Sequence, residues 1–425
     1  MSTVLLLATT TGYQLRAFDE AAAALGVTLV LATDRCDHLE DPWADRALPV
    51  KYHDISGSID TVVAAFTGGR PDGILAVGDR PTVLAAHLAK AFELSWHSVA
   101  AADASRHKLA SHLALRAFGL PTAEFRVVSL AETPEAAAHA TTFPAVLKPL
   151  ALSGSRGVMR VDDAEHFVTA FERLRYILMT PDVRRERDAA HDQILVESFI
   201  PGREYAVEGL MTEGRFQLLA LFDKPDPLDG PFFEETIYVT PSRAERRVQE
   251  QIAHEIARAA RALGLAHGPL HGECRVHGTE VYVLEVAARP IGGLCARALR
   301  FCAGETCEVS LEEVLLRHAV GQDVTGYHRE VDASGVMMIP IPKRGVLRSV
   351  AGLAEARAVP GIVDIRITAK TDALLTPLPE GRSYLGFIFA RSSDPAIVEH
   401  ALRDAHACLT FRIDREVVVT KPVTR

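Results

Sequence analysis

The 425-residue chain has no uninterrupted apolar run of about 18 residues, which excludes a membrane-spanning helix, and no membrane partner is expected. Its opening stretch, MSTVLLLATTTGY, lacks a basic segment ahead of its short apolar core, so no secretory signal is expected and a cytoplasmic location is the default. Basic runs are missing too: 46 Lys and Arg stand against 55 Asp and Glu, a net charge of −9, with no interleaving of basic and aromatic residues. Nucleic acid is therefore not expected as a partner. Cysteine is sparse and scattered. Cys36, Cys274, Cys295, Cys302, Cys307 and Cys408 form no CxxC pair and no cluster with histidine, so reduced thiols in the core are expected in place of disulfides or zinc ligands. No internal repeat occurs, and with 48% hydrophobic and 24% charged residues no segment reads as disordered.

What is present is a chain too long for one ordinary core, about 150 residues per domain being the usual scale. TVLLLATT, QLRAFDEAAAALG and VTLVLATD follow one another as strand, helix and strand, and DGILAVGD with RPTVLAAHLAKAFEL repeats the order. Residues 1–105 thus read as a small parallel α/β sheet. The TTTG after the first strand resembles a phosphate-binding turn but lacks GxGxxG, and a structural turn is the preferred reading. From DASRHKLASHLALRAFGLPTAEF onward an amphipathic helix gives way to short strands, with Lys148 at the end of one and Pro149 barring helical continuation. The last hundred residues combine GVMMIPIP, GIVDIRITA and YLGFIFARS with a helix, PAIVEHALRDAHACL, and read as an α+β module starting after Gly321.

Chemistry-bearing residues recur in a fixed order: Lys108, Lys148, a Ser/Gly loop from Ser153 to Gly157, Glu197, Glu204, Glu273 and Glu285. Lysines neutralise phosphate oxygens, glycine loops bring backbone amides to them, and paired carboxylates hold a divalent cation against them. Taken singly, each has a bland alternative as a surface charge or a plain turn. The order and spacing of HKLAS, FPAVLKPLALSGSRGV, ILVESFIPGREYAVEG, GECRV and LEVAARPIGG outweigh those alternatives.

On these motifs the chain resembles the ATP-grasp superfamily in its carboxylate-amine ligase branch, and is most similar to the bacterial L-amino acid ligases that make dipeptides. The resemblance implies an N-terminal half-Rossmann domain at 1–105, an ATP-grasp domain at 106–320 with a central antiparallel sheet and a lid subdomain at about 117–200, and a C-terminal α+β module at 321–425. It assigns Lys108 and Lys148 to the ATP phosphates, and Ser153, Gly154, Ser155, Arg156 and Gly157 to the closing loop. Glu197, Ser198, Phe199 and Ile200 become the adenine hinge, with Glu204 on the ribose. Glu273 and Glu285 become ligands of Mg²⁺, two ions being expected and Mn²⁺ the alternative. Arg289 is assigned to the activated carboxylate and, with Lys148, to catalysis, while Gly292 and Gly293 present backbone amides to the substrate. The activity implied is ATP-dependent amide formation through an acyl phosphate from small-molecule carboxylate and amine substrates, with the protein a homodimer. The alternatives are a carboxylase-type or other acyl-phosphate ligase and a nucleotide-binding protein without catalysis.

One departure stands out. Many members of the superfamily place asparagine two residues after the second metal carboxylate, where this chain has Ala287. Glu285 bridging two ions with water in the vacancy is the preferred reading, since Mg²⁺ keeps waters readily. His271, on the same strand face as Glu273, is read as a catalytic base, a substrate contact or a structural residue. Lys224, Glu234 and Glu235 are read as structural in preference to lining an acceptor pocket, GDRP (Gly78 to Pro81) as a turn, and Arg344 as a solvated charge.

Overall fold

The computed structural model describes residues 2–9, 14–34, 47–304 and 306–416. Most of the TTTG turn and Cys36 lie outside the described residues. The first four strands form one parallel sheet in the order Ala47–Pro49, Thr28–Thr33, Thr3–Ala8 and Gly73–Val77. The apolar runs that announced them are buried on both faces, Val4 to Ala8 at 0% exposure, as a parallel sheet covered by helices requires. Its Leu15–Leu25 helix stops at Gly26, which takes the left-handed conformation that a side chain resists.

A second, antiparallel sheet of four strands, Phe125–Ser129, Gln193–Ser198, Ala145–Pro149 and Met159–Val161, carries the Ala164–Leu178 helix on one face. Phe167, Phe171, Leu174 and Ile177, spaced to share one helix face, are fully buried against it. Truncating Phe171 to alanine there removes a core aromatic, a change that costs about 3 to 5 kcal/mol.

The largest sheet has eight strands in the order Glu280–Ala287, Gly268–His277, Arg203–Thr212, Arg215–Asp223, Ile237–Thr240, Ala333–Ile339, Gly386–Ser392 and Ile362–Ile367. Every described pairing in it is antiparallel. The three last-named strands come from the C-terminal hundred residues, so this module continues the central sheet. The Pro395–Cys408 helix packs on it and buries Val398, Ala401 and Leu402.

Two local readings change. DASRHKLASHLALRAF forms two helices, Val99–Arg106 and Lys108–Ala117, because His107 leaves helical geometry (φ −101°, ψ 107°) and caps the second through Nδ1 to the Ala110 N–H. The expectation of reduced thiols fails for one pair. Cys302 and Cys307 form a disulfide, since the chain reverses between Phe301–Ala303 and Thr306–Val309 and brings their Cα atoms to 3.8 Å. CAGETC, five apart, meets across a hairpin that a search for CxxC does not detect. Cys274 and Cys295 are free and buried as expected, and Cys408 is free and half-buried. No described helix is long and apolar enough to cross a membrane.

Candidate active site

A cleft of about 1240 Å³ of empty space, its mouth included, lies between the four-stranded antiparallel sheet and the central sheet. At one end the alternation of the Ala145–Pro149 strand turns Lys148 inward, and its Nζ lies 2.6 Å from Glu197 Oε2. His112 Nε2 stands 2.7 Å from the other oxygen. Burial alone would raise the pKa of Glu197, but the Lys148 charge and then His112 outweigh it and hold the carboxyl at about 2. Each oxygen of Glu197 thus has a nitrogen of a neighbouring side chain within 2.7 Å. In the hinge that follows, Ser198 and Phe199 N–H donate to Glu124 O and Pro144 O, and Ile200 O accepts from Arg275 Nη1 at 2.8 Å. Gly202 ends the turn at φ +113°; a Cβ there would stand 2.1 Å from the Val276 carbonyl oxygen, so only glycine fits.

The break at His107 aims Lys108 into the cleft. Its Nζ donates to Leu152 O at 2.9 Å and lies 3.4 Å from Glu285. The Ser/Gly loop is divided. Ser153, Gly154 and Ser155 line the cleft, whereas Arg156 and Gly157 face away from it. Arg156 donates to Glu380 O at 3.0 Å and to Asp182 at 2.5 Å, and Gly157 N–H donates to Pro379 O at 2.9 Å. Arg173 completes the attachment with a two-pronged pair on the Glu380 carboxylate. The loop is therefore held from behind by the C-terminal module.

Glu273 and Glu285 are direct cross-strand partners. Like charges so placed repel, which two neighbouring lysines relieve here and a cation between them would relieve further. Two carboxylates on one sheet face supply the hard oxygen donors that Mg²⁺ takes, so the residues fit the ion. A tighter carboxylate group also exists: oxygens of Glu204, Glu235 and Glu273 lie within 4.8 Å of one another. Its centre is already filled. Lys224 Nζ donates to Glu204 at 2.8 Å and to Glu235 at 2.6 Å, and is ion-paired with Glu273 at 3.3 Å. Burial alone would raise Glu273, but Lys224 and then His271 hold it well below the usual carboxylate range. Lys224, read from sequence as structural, is buried at the junction of the strands that carry the site.

Ala287 pairs across the strands with His271, so the vacancy left by the missing asparagine faces an imidazole. His271 Nδ1 lies 3.1 Å from Glu208, which also accepts from the Ile291 N–H, and Nε2 lies 3.6 Å from Glu273. Burial alone would lower its pKa; Glu208 and Glu273 outweigh this and raise it to about 9. The two carboxylates thus favour the protonated ring. Arg289 is gripped by Asp79, Nε to Oδ1 at 2.8 Å and Nη2 to Oδ2 at 3.2 Å, and Nη1 donates to Pro290 O. Two of its five N–H bonds remain for a ligand. Asp79 belongs to GDRP, read as a turn; its place at the carboxyl end of a parallel strand, where α/β sheets bind ligands, was the available signal. Gly292 and Gly293 line the cleft beside Arg289. Arg344 pairs with Glu416 at 2.7 Å, away from the cleft lining, as a solvated charge.

Comparison with known proteins adds two matches. Residues 141–298 match the ATP-grasp domain, and residues 337–414 match the L-amino acid ligase C-terminal domain 2. Alanine–anticapsin ligase of Bacillus subtilis is 28% identical over 224 residues, 49% of this chain and 46% of that protein. Dapdiamide A synthase of Enterobacter agglomerans is 24% identical over 365 residues, 82% of this chain and 81% of that protein. The chain spans about half the length of the curated relatives it matches first. The crystal structure of an L-amino acid ligase from Bacillus licheniformis shares the fold, with a TM-score of 0.79 and 23% identity over 98% of this chain and 99% of that one.

Proposed function

We propose, from the matches of residues 141–298 to the ATP-grasp domain and of residues 337–414 to the L-amino acid ligase C-terminal domain 2, that the chain is an ATP-grasp ligase that joins the carboxylate of an L-amino acid to the amine of a second small molecule, converting ATP to ADP and phosphate. The observation that carries this reading is the facing pair Glu273 and Glu285, with Lys108 against it and Arg289 in the same cleft. A carboxylate resists an amine because it is anionic and oxide is a poor leaving group. Phosphorylation by ATP removes both obstacles.

In this reading Lys108 and Lys148 offset charge on the phosphates, and Ser153 to Ser155 supply backbone N–H groups to them. Glu204, already holding Arg275 and Lys224, has lone pairs left for ribose hydroxyls. The adenine edge is read by the backbone groups the hinge leaves open, the Phe199 carbonyl and the Ile200 N–H, while Glu197 fixes Lys148. Glu273 and Glu285 hold Mg²⁺, which when bound offsets the charge of the transferring phosphoryl group. Arg289 turns its two remaining N–H bonds to the carboxylate, and the backbone at Gly292 and Gly293 meets the same oxygens. Transfer of the γ-phosphoryl group to a carboxylate oxygen gives an acyl phosphate and ADP. The amine then attacks the acyl carbon, phosphate departs, and the nitrogen loses a proton to solvent. The lid keeps water from the acyl phosphate. A homodimer completes the reading, to be checked by light scattering.

ADP release measured with amino acid pairs tests this. The expected result is release that needs both an amine and Mg²⁺ and that stops on chelation. AMP and pyrophosphate as products would require adenylation and sink the acyl phosphate route.

A further inference from the structure

Beyond Arg289 the cleft ends in a wall unlike the rest of it. Tyr238 comes from the central sheet, Cys295 follows the glycine pair, and Met338 and Tyr384 come from the C-terminal module. These residues are mutually packed: Cys295 Sγ lies 3.7 Å from Met338 Sδ, and the Tyr384 ring meets Phe387 edge-on at 6.0 Å. Phe387 in turn lies under Gly293, where a Cβ would come within 3.2 Å of its ring. The wall therefore touches the backbone assigned to the activated carboxylate.

Its charge state is as telling as its shape. Glu235 is the carboxylate beside it, and one oxygen already takes Lys224 Nζ at 2.6 Å and Tyr238 OH at 2.7 Å. Among the described residues that form this wall there is no Lys or Arg side chain, and Lys224 beside it is ion-paired to three glutamates. A side chain entering here meets a thiol, a thioether and aromatic faces. Such surfaces adapt to varied apolar shapes. An anionic side chain would lose its water without gaining an opposite charge, and the one carboxylate beside the wall, Glu235, is already paired with Lys224.

Resting on the ligase reading above, we propose that the amino acid whose carboxylate is activated carries an uncharged apolar side chain, and that Met338 and Tyr384 of the C-terminal module select it. The amine substrate approaches from the other side of the acyl carbon and is not read by this wall. The selecting residues thus lie outside the segment matched to the ATP-grasp domain.

The experiment uses the full chain with ATP, Mg²⁺ and L-amino acids supplied in pairs, with ADP release for rate and tandem mass spectrometry for product order. The activated amino acid is the one whose carbonyl enters the amide, so it occupies the N-terminal position. Leucine, methionine or phenylalanine at that position is expected to exceed aspartate or lysine at least about 100-fold in kcat/KM, a single methylene being worth about 10 to 200-fold in such a pocket. Met338→Ala is expected to raise KM for the apolar amino acid about 10-fold and leave KM for ATP unchanged. Tyr384→Ala repeats the test should the first variant fail to fold. Turnover with charged and apolar residues equally accepted at the N-terminal position would overturn the proposal while leaving the ligase reading intact. Absence of ADP release with every pair would instead remove the ligase reading on which it rests.

Discussion

At the proposed nucleotide end of the cleft, Lys148 pairs with one oxygen of Glu197 and His112 Nε2 lies against the other. At the far end the partners come from distant parts of the chain: Asp79 of the N-terminal sheet grips Arg289 across 210 residues, and Met338 and Tyr384 arrive from the C-terminal module. The first arrangement is self-contained and suits the role proposed for it, to hold a nucleotide. The second exists only when three parts of the chain are assembled, and it is where substrates would be told apart. Between them stands Lys224, bonded to the proposed ribose glutamate, Glu204, and ion-paired with a proposed metal ligand, Glu273.

That contrast can be broken or sharpened by substitution. The largest effect is expected from Glu273→Gln or Glu285→Gln, which should lower amine-dependent ADP release by about 10² to 10³-fold, the range for removing a transition-state charge partner. Next comes Lys224→Met. Loss of this support should cost about 10 to 100-fold in activity, as for groups that orient metal ligands. It should also open the Glu204, Glu235 and Glu273 cluster to a divalent ion, seen as added Mn²⁺ binding by electron paramagnetic resonance without nucleotide, and Lys224→Arg should close it again. If Lys224→Met binds no extra Mn²⁺ and keeps full activity, the two ends are independent. Asp79→Asn should raise KM for the carboxylate substrate about 10-fold and change KM for ATP less, because Arg289 is its main partner, with Lys108 and Ser153 contributing less. Glu380→Gln is smaller: its pair with Arg173 is partly exposed, so about 1 kcal/mol or less is at stake, a severalfold rise in KM for ATP.

The smallest effect lies outside the cleft. His97 and His318 are held neutral with pKa values of about 4, in both cases mainly by burial. His97 accepts at Nδ1 from the Ala266 and His267 N–H groups, which a proton there would oppose. The unfolded chain takes up these protons near pH 6.5 and the folded one only near 4, so stability falls as pH drops through that window. Thermal midpoints measured from pH 7 to 4 should show this, with a shallower slope in His97→Gln. Activity at the nucleotide end should not follow the same curve, since Glu197 stays ionised down to about pH 2.

How legible this was depended on distance along the chain. Lys148, Glu197, Glu273 and Glu285 lie on strands whose apolar alternation is plain, and the parallel sheet follows from continuous apolar runs. Asp79 and Lys224 have no such local mark. A turn aspartate and a strand-end lysine look ordinary until packing supplies Arg289 and three glutamates. The break at His107 was hidden because both helices keep one apolar periodicity. Arg156 shares its motif with residues that face the cleft, and only the position of Glu380 reveals that it faces away.

The eight-stranded sheet carries a practical consequence for anyone dividing the chain. Cutting it near residue 330 would not release a finished domain, because the Ile237–Thr240 strand pairs with Ala333–Ile339 along its length. The truncated protein would present a bare strand edge, an invitation to intermolecular pairing and precipitation. Insolubility of such a fragment would report a missing neighbour strand rather than a misfolded nucleotide site, and supplying residues 331–416 as a separate polypeptide is the remedy to try.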